Sequence, residues 1–156
     1  MFGGYRRTGP AAAPHSGRAG RPAGAHPNHH ELERLLAAAE EHSDAEPAGA
    51  EDPQRRLAER YAAVLSSDNQ IVTPTGNRWQ APAGHSGLGT SGSGDVLAGA
   101  LVGLLARGVE LSQAACWATY LHAAAGDRLA ARVGSLGFLA RELLDQLPLV
   151  LTELRA

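Results

Sequence analysis

Gly87-Leu88-Gly89-Thr90-Ser91-Gly92-Ser93-Gly94-Asp95-Val96-Leu97-Ala98-Gly99 sets a run of small residues before a single carboxylate and then turns apolar, from Val96 to Ala106. Glycine lets the backbone turn sharply and exposes its N–H groups. A helix starting at Asp95 would aim its unsatisfied N–H groups, and the positive end of its dipole, into that loop. Together these features predict an anion site, most naturally for phosphate. Asp95 is the one acidic residue between Asp68 and Glu110. Two compatible roles fit it. Aspartate is among the best N-caps, worth about 1 kcal/mol. It can also act as a general base, taking a proton from a substrate hydroxyl as that oxygen meets a phosphoryl group.

Two familiar phosphate loops do not fit. Gly87, Gly89 and Gly92 match G-x-G-x-x-G literally. That fingerprint needs a strand just before it and an acid about twenty residues on. Asn77 to Gly84 reads as loop apart from the short strand open to Asn77 to Gln80, which stops well before Gly87, and neither a strand nor an acid stands around Ser112 and Gln113. The Walker A loop needs a lysine, and all fourteen Lys+Arg residues of this chain are arginine.

What remains, G-T-S-G-S-G-D-V-L-A-G followed by an apolar helix, resembles the signature G-T-G-G-T-G-D-V-L-x-G of the ADP-dependent NAD(P)H-hydrate dehydratases, within the ribokinase-like superfamily. The resemblance continues through Leu104-Leu105-Ala106-Arg107-Gly108, Ala114-Ala115, Tyr120 to Asp127 and Leu139 to Leu144. Upstream, His26 to Leu36 is similar to the family's T-P-H-x-x-E stretch. The resemblance implies an α/β fold, the ribokinase-like three-layer α/β/α architecture, truncated here and helix-rich with few strands. Residues 27–156 then correspond to the C-terminal part of a dehydratase domain, and 1–26 to a disordered low-complexity tail.

The implied activity is ADP-dependent dehydration of (S)-NAD(P)H hydrate, a repair of damaged NADH or NADPH. The extra ring hydroxyl is phosphorylated, phosphate leaves and the ring double bond returns. Hydroxide leaves poorly and phosphate well, which is the physical sense of the nucleotide. By the resemblance Asp95 activates the hydroxyl and touches the substrate. Gly89, Thr90, Gly92, Ser93 and Gly94 hold the phosphate, with Gly94 also against the nucleotide. Asn28 stands where the family has a substrate-contacting histidine, and His29 follows it. ADP or ATP and Mg²⁺ are the implied cofactors, with no metal ligand among the residues of this chain. The implied partners are NAD(P)H hydrate and an adenine nucleotide, with a homo-oligomer allowed, no nucleic acid and no membrane, in the cytoplasm. Two alternatives stay open. A superfamily kinase acting on a hydroxymethylpyrimidine would use the same loop chemistry. An inactive truncated module of the family would keep the signature without turnover.

Composition sets the frame. The 156 residues are one domain by size, enough to bury a core. Net charge is −2, which gives no pull toward nucleic acid or an acidic surface. Cys116 is the single cysteine, set in a helical apolar pattern, and suits a buried thiol in a reducing compartment. No apolar run is long enough to span a membrane. Residues 1–25 carry four arginines and no acid, with glycine and proline throughout. They have no apolar core of a secretory signal and read as disordered.

Along the rest of the chain, 28–42 reads as a helix with Asn28 as N-cap and Glu31 three residues on. His26, His29 and His30 lack the spacing of a metal site. Residues 43–53 are an acidic loop, and 54–63 an amphipathic helix started by Pro53, with Glu51 and Arg55 four apart. Ala63-Val64-Leu65 and Gln70 to Thr73 are β-like, and Asn77 to Gln80 adds a short strand after the turn at Pro74-Thr75-Gly76. In the family the first of these strands leads into a lysine-glycine loop, whereas here a few residues are lacking between Leu65 and Gln70. The helix 96–106 is apolar all round and is expected to be buried, with Gly99 and Gly103 permitting close approach. A helix 112–132 carries Trp117, Tyr120, Leu121 and Ala124 on one face, and His122 reads as a packed, hydrogen-bonded residue. The last helix, 136–154, is expected to bend or break at Pro148.

Overall fold

A five-stranded mixed sheet dominates residues 6–80, the first of two compact units in the computed structural model; the second runs from Ala81 onward. The structure describes residues 6–7, 23–25, 27, 29–41, 52–84 and 86–154. The strands are β1 (Arg6–Arg7), β2 (Ala23–Ala25), β3 (Ala63–Ser67), β4 (Gln70–Val72) and β5 (Arg78–Gln80), in the order β1-β5-β4-β3-β2. All neighbours are antiparallel except β2 and β3. The sequence places no strand before Pro27, because Ala23-Gly24-Ala25 has neither branched nor aromatic side chains. Its pairing on β3 is a matter of backbone hydrogen bonds.

The hairpin from β3 to β4 turns in two residues. Asp68 and Asn69 have φ of 51° and 60°, the sign that a type I′ turn requires at both positions and that Asp and Asn tolerate best. Register follows, with Leu65 opposite Val72 and Ser67 opposite Gln70. The segment in which the resemblance implies a lysine-glycine loop is thus a closed hairpin. The next turn forms as expected, with Gly76 at φ 79° and its N–H donating to the Thr73 carbonyl at 2.9 Å.

Helices α1 (His29–Glu41) and α2 (Pro53–Arg60) cover one face of this sheet. Leu32, Leu57, Ala58, Leu65 and Val72 form the core there, with Leu35 and Leu36 packed against it. Asp52 caps α2 by accepting the Gln54 N–H at 3.2 Å, and Pro53 opens the helix. Arg55 pairs with Glu59 at 2.8 Å, one turn on, and Arg78 pairs with Asp52. The Asn28 cap and Glu51 lie outside the described residues. The helix ends at Arg60, short of the expected 63, because Ala62 takes a positive φ of 47° that leads the chain into β3.

The second unit holds α3 (Ser93–Ala106), α4 (Leu111–Val133) and α5 (Ala140–Glu153). Ala125, Leu129, Phe138 and Leu143 form its core, joined by Leu88, Val96, Ala130 and Leu147. Two expectations need correction. The apolar helix α3 is not buried: among its residues only Ser93 is, and Val102 is 63% exposed. Positions 99, 102, 103 and 106 share a stripe, and a Cβ at Gly99 or Gly103 would meet nothing within 4 Å, so no described element covers that face. The last helix begins at Ala140, not 136, and runs through Pro148 unbroken. The carbonyl freed by Pro148 belongs to Leu144, an exposed residue, where water can satisfy it. No helix among the described residues is long and apolar enough to cross a membrane.

Glu110 caps α4, accepting the N–H groups of Ser112 and Gln113, each at 3.0 Å. Partial burial pushes its carboxyl up, but the Ser112 hydroxyl and the amides of Ser112, Gln113 and Leu111 outweigh it and hold the group below 4.5. The unfolded chain therefore binds a proton more readily, so the cap stabilises above that value and fades as pH falls through the lower folded one. Glu110→Ala should cost about 0.5–1 kcal/mol at pH 7. Urea melts of both proteins should show this gap at pH 7 and a narrowing gap below pH 4.5; a gap independent of pH would contradict the cap.

Candidate phosphate site at the start of α3

The signature loop is laid along α4. Its upstream end is tied by the Gly84 N–H, which donates to Asp127 Oδ2 at 3.2 Å. A 3₁₀ turn, Ser86–Gly89, follows. At Gly87 an added Cβ would stand 2.2 Å from the Ser135 carbonyl oxygen and 2.8 Å from the Phe138 ring. Leu88 reaches down to Gly126, where a Cβ would meet its side chain at 2.7 Å. Glycine within a helix costs roughly 1 kcal/mol against alanine, and here it makes room for the loop. His122, one turn earlier on α4, has Nε2 2.7 Å from Ser93 Oγ. His122, Gly126 and Asp127 thus touch the loop at three successive points.

The loop ends in a left-handed residue. Gly92 sits at φ 86° as the N-cap of α3, a conformation glycine adopts without penalty. This corrects the expectation that Asp95 caps and starts the helix. Helix α3 starts two residues earlier, at Ser93, and Asp95 is the third helical residue. There its charge still complements the helix dipole. The Asp95 N–H donates to the Gly92 carbonyl at 3.1 Å and the Ser93 N–H to the Thr90 carbonyl at 3.1 Å. Gly94, between them, has no acceptor for its N–H among the described residues. Gly89, Gly92, Gly94 and Asp95 are exposed and Thr90 is half-buried.

The structure therefore gathers Gly89, Thr90, Gly92, Ser93, Gly94 and Asp95 at one loop-helix junction. Ser93 differs from the others, since its hydroxyl is turned inward to His122. Asn28 lies outside the described residues. The arrangement offers an open amide at a positive helix end, backed by glycines, with one carboxylate beside it. It suits a phosphate group and a hydroxyl that must lose its proton. Among the described residues no three His, Cys, Asp or Glu side chains are grouped to hold a metal. Burial, and then the Glu110 charge, push the Cys116 thiol up to about 12, which removes it as a nucleophile.

Sequence reasoning did not single out Gly87, Gly126 or Asp127 as seats of the loop. Gly126 carried a signal, because a glycine deep in a helix calls for a packing reason.

Comparison with known proteins places these features in context. Residues 26–149 match the family model described as NAD(P)H-hydrate dehydratase. The chain is 46% identical over 91 residues to an ADP-dependent (S)-NAD(P)H-hydrate dehydratase of Xanthomonas campestris, covering 58% of this chain and 32% of the relative. It is 38% identical over 96 residues to a bifunctional NAD(P)H-hydrate repair enzyme of Escherichia coli, covering 60% and 19%. A crystal structure of the ADP/ATP-dependent NAD(P)H-hydrate dehydratase of Bacillus subtilis, co-crystallized with ATP/Mg²⁺, superposes with a TM-score of 0.67 at 25% identity, covering 92% of this chain and 51% of that one. The chain thus spans about half the length of that structure and a third or less of these two relatives. The fold is the expected ribokinase-like one.

The two glycine contacts differ in what must yield. Gly87→Ala meets a backbone carbonyl and an aromatic ring, and should cost about 1–3 kcal/mol. Gly126→Ala meets the end of the Leu88 side chain, which can move, and should cost less. Thermal melts of the two variants test the order; equal losses would contradict the contact between loop and α4.

Proposed function

Because the chain belongs to the NAD(P)H-hydrate dehydratase family, we propose that it handles the phosphate chemistry of ADP-dependent dehydration of (S)-NAD(P)H hydrate. The observation that carries this reading is the open Gly94 N–H beside Asp95, at a helix start capped by left-handed Gly92. Asp95 takes the proton of the ring hydroxyl, so that its oxygen can accept the terminal phosphoryl group of ADP. The Gly94 N–H, and the positive end of α3 behind it, hold the charge on that group. The oxygen then leaves as phosphate and a ring proton is lost with it. The sum is hydrate plus ADP giving NAD(P)H, AMP and phosphate. Exposure of Asp95 leaves room for a substrate to reach it.

The residues fit a nucleotide phosphate better than a resident metal ion, given the lack of a grouped ligand set among the described residues. Mg²⁺ bound with the nucleotide would neutralise phosphate charge, with Asp95 the carboxylate at hand. A cytoplasmic location, where NAD(P)H is used, goes with this reading.

The rival with a specific observation behind it is an inactive module. The Asp68-Asn69 hairpin is closed in the segment where the resemblance implies a nucleotide-seating lysine-glycine loop, and among the described residues one face of α3 is bare.

The test is turnover. Purified chain with hydrated NADH, ADP and Mg²⁺ should regenerate reduced nicotinamide absorbance and release inorganic phosphate. Asp95→Asn should lower the rate about 10²–10⁴-fold, the usual worth of a general base, and shift stability by no more than about 1 kcal/mol. Equal rates in both proteins would remove Asp95 from the chemistry. No turnover in either would favour the module, and phosphate retained on a pyrimidine alcohol supplied with ATP would favour the kinase.

A further inference from the structure

The end of α3 that faces the ligand lacks an ordinary cap. Gly92 has no side chain to receive a first-turn N–H, and Asp95 is too far along the helix to serve. The structure substitutes a contact from the neighbouring helix. Ser93, the first residue of α3, is 3% exposed and His122 on α4 is 7% exposed. Their Oγ and Nε2 atoms are 2.7 Å apart. Ser93 also donates its N–H to the Thr90 carbonyl, so this one residue closes the loop behind it and ties the helix start to α4. The two residues that follow it are Gly94 and Asp95.

We propose that His122 is a positioning residue for the phosphate site. Through the Ser93 hydroxyl it fixes where the Gly94 N–H and the Asp95 carboxylate stand relative to a bound phosphate. The proposal rests on the reading of the α3 start as the nucleotide site. It assigns Ser93 a task different from that of its neighbours, since the hydroxyl serves α4 and not the ligand. A displacement of about 1 Å at such a site costs turnover heavily, and a buried hydrogen bond with one partner removed leaves the other unsatisfied. The upstream anchors, Asp127 on Gly84 and Gly126 under Leu88, hold the far end of the loop. They leave the helix start to His122.

The test uses His122→Leu, Ser93→Ala, the double variant and His122→Gln, whose amide nitrogen reaches close to the position of Nε2. Amide hydrogen exchange is read first, without nucleotide. The Ser93 and Asp95 amides should exchange at least tenfold faster in His122→Leu and in Ser93→Ala, and recover in His122→Gln. Amides of α5 around Val150 should not change. ADP titration is read second. Affinity should fall about tenfold in either single variant and no further in the double. Unchanged exchange at Ser93 and Asp95 in His122→Leu would overturn the proposal. So would an equal rise throughout α4 and α5, which marks general loosening. If ADP fails to bind even the unaltered chain, the nucleotide reading fails, and the exchange measurement still decides the role of His122.

Discussion

The signature loop rests closely on α4 and on the turn that follows it, with a glycine at each contact. A Cβ at Gly126 would stand 2.7 Å from Leu88, and one at Gly87 would stand 2.2 Å from the Ser135 carbonyl oxygen. This close approach lets Leu88 pack against the core of Ala125, Leu129, Phe138 and Leu143. Partial burial of that leucine, worth roughly 1 kcal/mol, anchors a segment otherwise made of residues with little to bury. With Leu88 seated, Asp127 can reach Gly84 and His122 can reach Ser93. The left-handed Gly92 and the start of α3 follow from where the loop is held. The chemistry proposed for Gly94 and Asp95 thus depends on packing one layer below them.

Much of this was legible because it is local. A small-residue run ending in one carboxylate and an apolar helix implies an anion site whatever the fold. Pro53 marks a helix start, and the two β-like runs on either side of residues 66–69 mark the strands that become β3 and β4. The membership of the family was carried by residues that can be read in a line. What could not be read depended on partners distant in sequence. Arg6–Arg7 and Ala23–Ala25 are strands because other strands accept their backbones, and nothing in their side chains says so. Aspartate is the better cap on average, which points to Asp95 as the start of α3, whereas a left-handed Gly92 sets the geometry and starts the helix two residues earlier. His122 was legible as a satisfied histidine, but its partner Ser93 was not.

Two departures bear on activity. An apolar helix states a need for cover, and the described residues leave the Gly99, Val102, Gly103 and Ala106 side of α3 bare. The Asp68-Asn69 hairpin closes the segment in which the resemblance implies a lysine-glycine loop.

The central claim is that α4 seats a competent phosphate site in this chain, and a thermal melt with and without ADP tests it most directly. A ligand that binds only the folded form adds about 2.7 kcal/mol at a hundred times its dissociation constant. For a chain of this size that is a rise of about 5–10 °C in Tm. The account predicts a cooperative melt that moves upward with ADP and saturates. A cooperative melt indifferent to ADP would contradict it, because the loop would then be seated without forming the site.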